Sequence, residues 1–242
     1  MRWWMGVGCT LVTLGVASSA LAEEAAVDRE TPPEGTMLAP ARALELQFNA
    51  GYTQPFGHFQ RGVDARDVAS AGFVGGGALA LRLTPRFAIT GYGSFHHSAP
   101  GDDLDGGMVF GGTGGIGTNI HLRPYAWVDP YFDIGAGYRL LFIAPDGPAD
   151  NHMLHGFEAL KASFGVDFRI SESFALGPMI GADVNVLLWD FNETQGTNEA
   201  LRRDGVSTFL FAGVAGKLDL LGSRVAKPGA RPVAMPLPLR TY

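Results

Sequence analysis

Residues 43–52 read ALELQFNAGY, with Leu44, Leu46, Phe48, Ala50 and Tyr52 on one side of an extended chain and Glu45, Gln47, Asn49 and Gly51 on the other. Successive side chains of a strand point to opposite faces, so this two-residue period specifies a strand lying between an apolar and a polar environment. The period recurs seven more times. Strands over roughly 70–83 and 86–96 meet at Thr84 and Pro85, and a fourth, 108–122, turns through Arg123 to Ala126. The fifth, 128–142, sets Phe132, Ile134, Ala136, Tyr138 and Leu140 against Asp133, Gly135, Gly137 and Arg139. The sixth sets Leu160, Ala162, Phe164, Val166, Phe168 and Ile170 against Lys161, Ser163, Gly165, Asp167 and Arg169. After a tight turn at Ser171 to Ser173, the seventh sets Leu176, Ile180, Val184 and Val186 against Gly177, Gly181, Asp183 and Asn185. The eighth sets Leu210, Val214, Leu218 and Leu220 against Phe211, Gly213, Lys217 and Asp219.

The connections alternate in length: 84–85, 123–127 and 171–173 are short, while 53–69, 97–107, 143–156 and 190–205 are long. Short turns on one side and long loops on the other are the pattern of outer-membrane barrels. The expectation is an all-β protein, an eight-stranded antiparallel transmembrane β-barrel built as an up-and-down meander over 42–221. An even strand count puts both termini on the short-turn, periplasmic side.

Alternation alone does not say which face is outside, because a soluble lipocalin-type barrel alternates too. The content of the polar face decides it. That face is largely Gly, Ser, Thr and Asn with one or two charges per strand, which suits a narrow lumen better than a solvated exterior. Its charges are Glu45, Arg82, Asp133, Arg139, Lys161, Asp167, Arg169, Asp183, Lys217 and Asp219, evenly divided in sign. Buried charges must pair or be wet, so these residues are expected to form a lumen-facing polar network. Phe87, Tyr125, Trp127, Phe168 and Phe174 lie by the short turns, and Tyr52, Phe95, Tyr138, Phe142 and Trp189 by the long loops, as two interfacial belts would. The competing architecture is a soluble periplasmic barrel.

The ends agree with export. Arg2, an apolar run from about Val7 to Val16 and the triplet Ala20, Leu21, Ala22 read as a signal peptide over 1–22. Cys9, the one cysteine, lies inside it, which excludes thiol chemistry from the mature chain. Residues 23–41 read as a flexible acidic leader, and 222–242, Pro-rich and basic with no acids, as a periplasmic tail. The net charge of −6 with no basic block argues against a nucleic-acid partner. No stretch after residue 22 is long and apolar enough for a transmembrane helix. No residue pattern calls for a cofactor.

With this architecture the chain resembles the small outer-membrane barrel families grouped with OmpA-like transmembrane domains, OmpX and OmpW. The resemblance implies contact with outer-membrane lipids and lipopolysaccharide, and assembly by the outer-membrane insertion machinery, which reads a last strand of alternating hydrophobic residues. GVAGKLDLL, Gly213 to Leu221, is such a strand, although the chain continues beyond it. The leading functional expectation is a non-enzymatic barrel, structural or a narrow small-solute passage, with long extracellular loops. Loop-mediated adhesion or lipopolysaccharide binding is the alternative.

Three local patterns stand beside these. Gly112, Gly114 and Gly117 fit a GxGxxG spacing, but no helix follows, so they are strand glycines rather than a nucleotide loop. His96 and Ser98 resemble the His and Ser of lipid A deacylase barrels, which would make them base and nucleophile of an esterase. Ala99 stands where that family has Asn, and the pair is expected as polar rim residues. Asp102, Asp103 and Asp105 offer oxygen ligands for a divalent cation, and His152 and His155 nitrogen ligands, should folding bring partners to them.

Overall fold

The computed structural model describes residues 40–222, apart from 61, 105 and 147–149 and, at 202–204, the side chains. The expected leader and signal segments and the tail from 223 lie outside the described residues. Nine strands are present among the described residues: β1 Ala43–Gln60, β2 Val63–Asp64, β3 Ala69–Arg82, β4 Phe87–Pro100, β5 Met108–His121, β6 Val128–Ala144, β7 His152–Arg169, β8 Phe174–Asn192 and β9 Thr197–Leu220. From β3 to β9 each strand pairs antiparallel with the next in sequence. β1 joins β3 on one side and closes on β9 on the other, from Leu44↔Leu220 to Gln60↔Asp204. β2 adds only a two-residue pairing to the outer end of β1. The barrel therefore has eight strands in meander order, and closure leaves no unpaired edge among them.

Three tight connections form one end. The Thr84 hydroxyl accepts from the Phe87 amide (3.1 Å), and the Ser171 hydroxyl does the same for Phe174 (3.1 Å). The opposite end departs from expectation. The stretches 53–69 and 190–205, placed as long loops, are mostly strand, and those at 97–107 and 143–156 are shortened by strand: β1 runs on to Gln60, β4 to Pro100 and β8 to Asn192, while β7 begins at His152 and β9 at Thr197. The cause is that ladder hydrogen bonds continue where the environments of the two faces no longer differ, so pairing persists after alternation has faded. We call this the hairpin end. A one-turn helix, α1 (Ala65–Val68), sits there, capped by the Asp64 side chain, which accepts from the Arg66 amide.

Outward positions carry Leu46, Phe48, Leu79, Leu81, Ile89, Ile116, Ile134, Ile180, Leu210 and Val214, all exposed. Inward positions carry the charged residues Glu45, Arg82, Asp167, Arg169 and Lys217, all buried. This is the reverse of a soluble protein, and a continuous apolar exterior of this extent is built for lipid. Aromatic rings pair on the outer surface at two heights. Phe48–Phe174 and Trp127–Phe168 lie toward the short turns, with Tyr138–Phe157 and Phe157–Trp189 toward the hairpins. Val128 to Tyr138 is about ten residues of β6, which at ~3.3 Å each and a tilt near 40° rises ~25 Å, the height of a barrel's apolar band.

Gly111 and Gly115 of β5 belong to packing inside the barrel, on the same parity as the buried Val109 and Thr113. A side chain at Gly115 would begin 2.6 Å from the Tyr92 hydroxyl, and one at Gly111 would begin 2.5 Å from His96 Cε1. Their absence gives two rings space in the lumen.

Candidate functional site: the filled lumen and the hairpin rim

Alternation turns one side chain in two inward, and at the short-turn end the inward residues are ionic. Arg82 on β3 donates through Nη2 to the Glu45 carboxylate on β1 and through Nη1 to the Pro85 carbonyl (3.0 Å). The same Nη2 lies 3.1 Å from His121 Nε2 and 3.6 Å from Asp219 Oδ1. A guanidinium only donates, so His121 Nε2 accepts, and its Nδ1 carries the hydrogen given to Asp129 Oδ2 at 2.6 Å. The other Asp129 oxygen accepts from the Arg123 amide (2.9 Å). Arg169 donates to Asp219 (3.1 Å), and Lys217 lies 2.9 Å from Asp167 and 3.1 Å above the Tyr131 ring. Arg82 and Glu45 are fully enclosed, at 0% exposure, so each charge depends on its partner rather than on water.

His121, Asp129 and Asp167 bring ligand atoms within 4.8 Å of one another, but the donor set does not fit a metal. Both histidine nitrogens are committed, and Lys217, held against Asp167, fills the place a cation would take.

The middle of the lumen is polar, and its side chains bond to one another. Asp133 accepts from Asn119 (2.6 Å) and Ser163 (3.0 Å). Tyr92 donates to Glu158. Lys161 lies 3.5 Å from Asp183 and faces the rings of Tyr92 and Phe211. Between Gln47, Asn49, Tyr92, Asp133, Lys161 and Ser163 a space of about 40 Å³ remains, room for a few waters. Glu158, Asn185 and Ser207 stand in register across β7, β8 and β9, and Glu158 Oε1, Asn185 Oδ1 and Ser207 Oγ have no protein partner.

Above this layer the chemistry changes. Arg139 lies 3.7 Å from Asp183, 3.2 Å from His96 Nδ1 and 3.6 Å over the Phe209 ring. Beyond it the inward side chains are Phe59, Val109, Leu141, Ile143, Leu154, Leu187 and Phe209, one buried apolar cluster. Ala65 of α1 belongs to the cluster, and Val68 and Leu104 pack against it. An apolar plug thus fills the hairpin end.

All ten charged residues expected in the lumen lie there. Glu45, Arg82, Asp167, Arg169, Lys217 and Asp219 share the ionic layer, with Asp133, Lys161, Asp183 and Arg139 above it. His96 and Ser98, expected as polar rim residues, are buried at 2% and 0% exposure. Both share the inward parity of β4, where His96 meets Arg139 and lies 5.1 Å from the Phe209 ring, away from any lipid ester. Asp102 and Asp103 are exposed, their backbone amides bonded to the carbonyls of Arg66 and Asp67; Asp105 lies outside the described residues. His152 pairs with Asp190 (3.0 Å), whereas His155 turns outward to Tyr138 (2.5 Å) and Trp189, so the two histidines do not converge.

The sequence reading missed His121, Asp129, Tyr92, Glu158 and the plug. Asp129 shares parity with Asp133, which could have revealed it. Glu158 is hidden by a bulge between Glu158 and Leu160 that reverses the phase of β7, and a second between Leu187 and Trp189 does the same in β8.

At the rim, Asp150, Asp190, Glu193 and Glu199 lie on or beside the β7–β8–β9 ribbon. The Asn192 amide donates to Asp150 (2.9 Å) and holds its carboxyl below the ordinary range.

No family model and no curated protein matches the sequence. Among solved structures, the chain is similar to Neisserial surface protein A, at 12% identity over 71% of this chain and 95% of that one, TM-score 0.46. It is also similar to the outer membrane protein OprG of Pseudomonas aeruginosa, at 9% identity over 75% and 98%, TM-score 0.49. A third is the outer membrane protein AlkL, at 14% identity over 80% and 98%, TM-score 0.45. Likeness at this level assigns no activity, and the function is argued below from this chain's own residues.

Proposed function

We propose that the protein is a closed outer-membrane barrel that anchors and displays its hairpin end, and that the lumen is not a route for solutes. The observation that carries this is the filling of the lumen from both ends, ionic below and apolar above, with a space of about 40 Å³ among Gln47, Tyr92, Asp133 and Lys161 between. Passage would require separating charges whose partners replace water, together with moving Phe59, Leu141, Leu187 and Phe209 aside. Eight-stranded barrels in general are just wide enough for side chains to fill.

Among the described residues of this end, the longest exposed run is in the β8–β9 hairpin, 193–200. Asp150, Asp190, Glu193 and Glu199 give the tip of this hairpin and its neighbour carboxylates, which suit a basic partner surface, or lipopolysaccharide phosphates bridged by divalent cations. In planar bilayers the protein is expected to give no stepwise conductance. Cells expressing a variant in which 190–201 is replaced by a two-residue Asn-Gly turn are expected to lose surface binding while the barrel still shifts in mobility on boiling. Steady conductance from the intact chain, or undiminished binding after the replacement, would overturn the proposal.

A further inference from the structure

On the outer surface near the hairpin end, Phe110, Phe142, Met153 and Phe191 are direct cross-strand partners over β5, β6, β7 and β8. Direct partners share a face, and this row has the outward parity, opposite to the buried Val109, Leu141 and Leu154. The row is the floor of a groove of about 370 Å³, within the range of small-ligand sites. Phe110 and Phe142 stack at 5.0 Å and 12°, giving it a flat wall. Its upper lip is polar and tied: Asn151 donates its side-chain amide to Glu193 (3.2 Å), and the Glu193 backbone amide donates to the Asn151 carbonyl (3.1 Å). His152 completes the lip.

We propose that this groove seats one acyl chain of an outer-leaflet lipid. The groove continues the lipid-facing surface directly: along β6 the outward side chains Ile134, Ala136, Tyr138, Leu140 and Phe142 run past the Tyr138, Phe157 and Trp189 cluster into the groove without a polar break. Four strands at ~4.8 Å spacing make the floor roughly 14 Å long, elongated as a chain is. The amphipathic order is also that of a lipid, with aromatic and thioether side chains below and amide, imidazole and carboxylate above. Water in this groove would face four apolar side chains and find few partners. The inference needs only a barrel embedded in a bilayer and is independent of what the hairpins bind.

The test is native mass spectrometry of the full chain released from dimyristoylphosphatidylcholine nanodiscs, counting retained lipids. Ala144→Trp fills the groove from its lip and Phe142→Ala removes half its stacked wall. Each is expected to retain one lipid fewer than the unaltered protein. Phe48→Ala, on the outer surface at the opposite end, is expected to retain the same number. Retention unchanged in Phe142→Ala, equal loss in Phe48→Ala, or a dimer formed in place of the retained lipid would overturn the proposal. Folding of each variant is read from its mobility shift on boiling. Should Ala144→Trp fail to fold, Phe142→Ala decides.

Discussion

At the short-turn end the barrel encloses Arg82, Arg169, Lys217, Glu45, Asp167 and Asp219, and at the hairpin end it encloses Phe59, Val109, Leu141, Leu187 and Phe209. Both ends are closed by inward side chains of one continuous barrel, against the same kind of wall. They differ in what happens when one member is removed. An ion pair out of water is costly to form, and its members are tolerated only together, so loss of one strands the other. An apolar residue has many partners and no single counterpart, so its loss leaves a void whose cost depends on how far the neighbours relax. The ionic end therefore fixes which strands lie opposite which, while the apolar end supplies burial that depends little on register.

The sharpest way to break this comparison is Lys217→Met, which removes the cation held against Asp167 and over Tyr131. A loss of ~3–5 kcal/mol is expected, read from urea unfolding in vesicles. Pairing it with Asp167→Leu should restore most of that loss. If the double variant is as unstable as the sum of the single ones, the ionic end is not a set of mutually dependent charges. Next in size is Leu141→Ala in the plug, expected to cost ~2–4 kcal/mol, with no second substitution in another element able to rescue it except by refilling the space. Conductance should stay absent in this variant, because the ionic end still closes the lumen; channel openings would show that the plug alone seals it.

Smaller effects sharpen the boundary between the halves. Tyr92→Phe removes the hydrogen bond to Glu158 and should cost ~1.5–3 kcal/mol, the range for bonds to a charged acceptor, measured in the same unfolding assay. The smallest lies outside the barrel. The Asp150 carboxyl is held low by hydrogen bonds, the Asn192 bond foremost, so its contribution to ordering the rim is present above the unfolded value near 4 and is lost as pH falls through the folded one. Asn192→Ala should raise the Asp150 titration midpoint toward that ordinary value, read by carboxyl carbon NMR, and leave the barrel's unfolding unchanged.

Much of the short-turn half was legible because lipid outside and a polar lumen inside impose opposite demands on neighbouring residues. ALELQFNAGY of β1 and the stretch from Leu160 to Ile170 of β7 carry that demand as clean alternation. The hairpin half was not legible for two physical reasons. Residues Leu140 to Ile143 of β6 face lipid on one side and the plug on the other, so both parities are apolar and the period disappears. The bulges at Glu158/Leu160 and Leu187/Trp189 then reverse the phase. Extrapolating the visible period of β7 outward from Lys161 would put Glu158 on the wrong face.

By itself, the sequence determined the strand count, the antiparallel order, the apolar exterior and the ten charges turned inward, because alternation and turn residues are local and depend only on neighbours in the chain. Only the tertiary structure decided which charges pair, that His121 links Arg82 to Asp129, that His96 and Ser98 are enclosed, and that an apolar plug closes the hairpin end. Those outcomes depend on the register between strands and on closure of β1 against β9. They bring together residues as distant as Arg82 and Asp219, and no period along one strand encodes such a meeting.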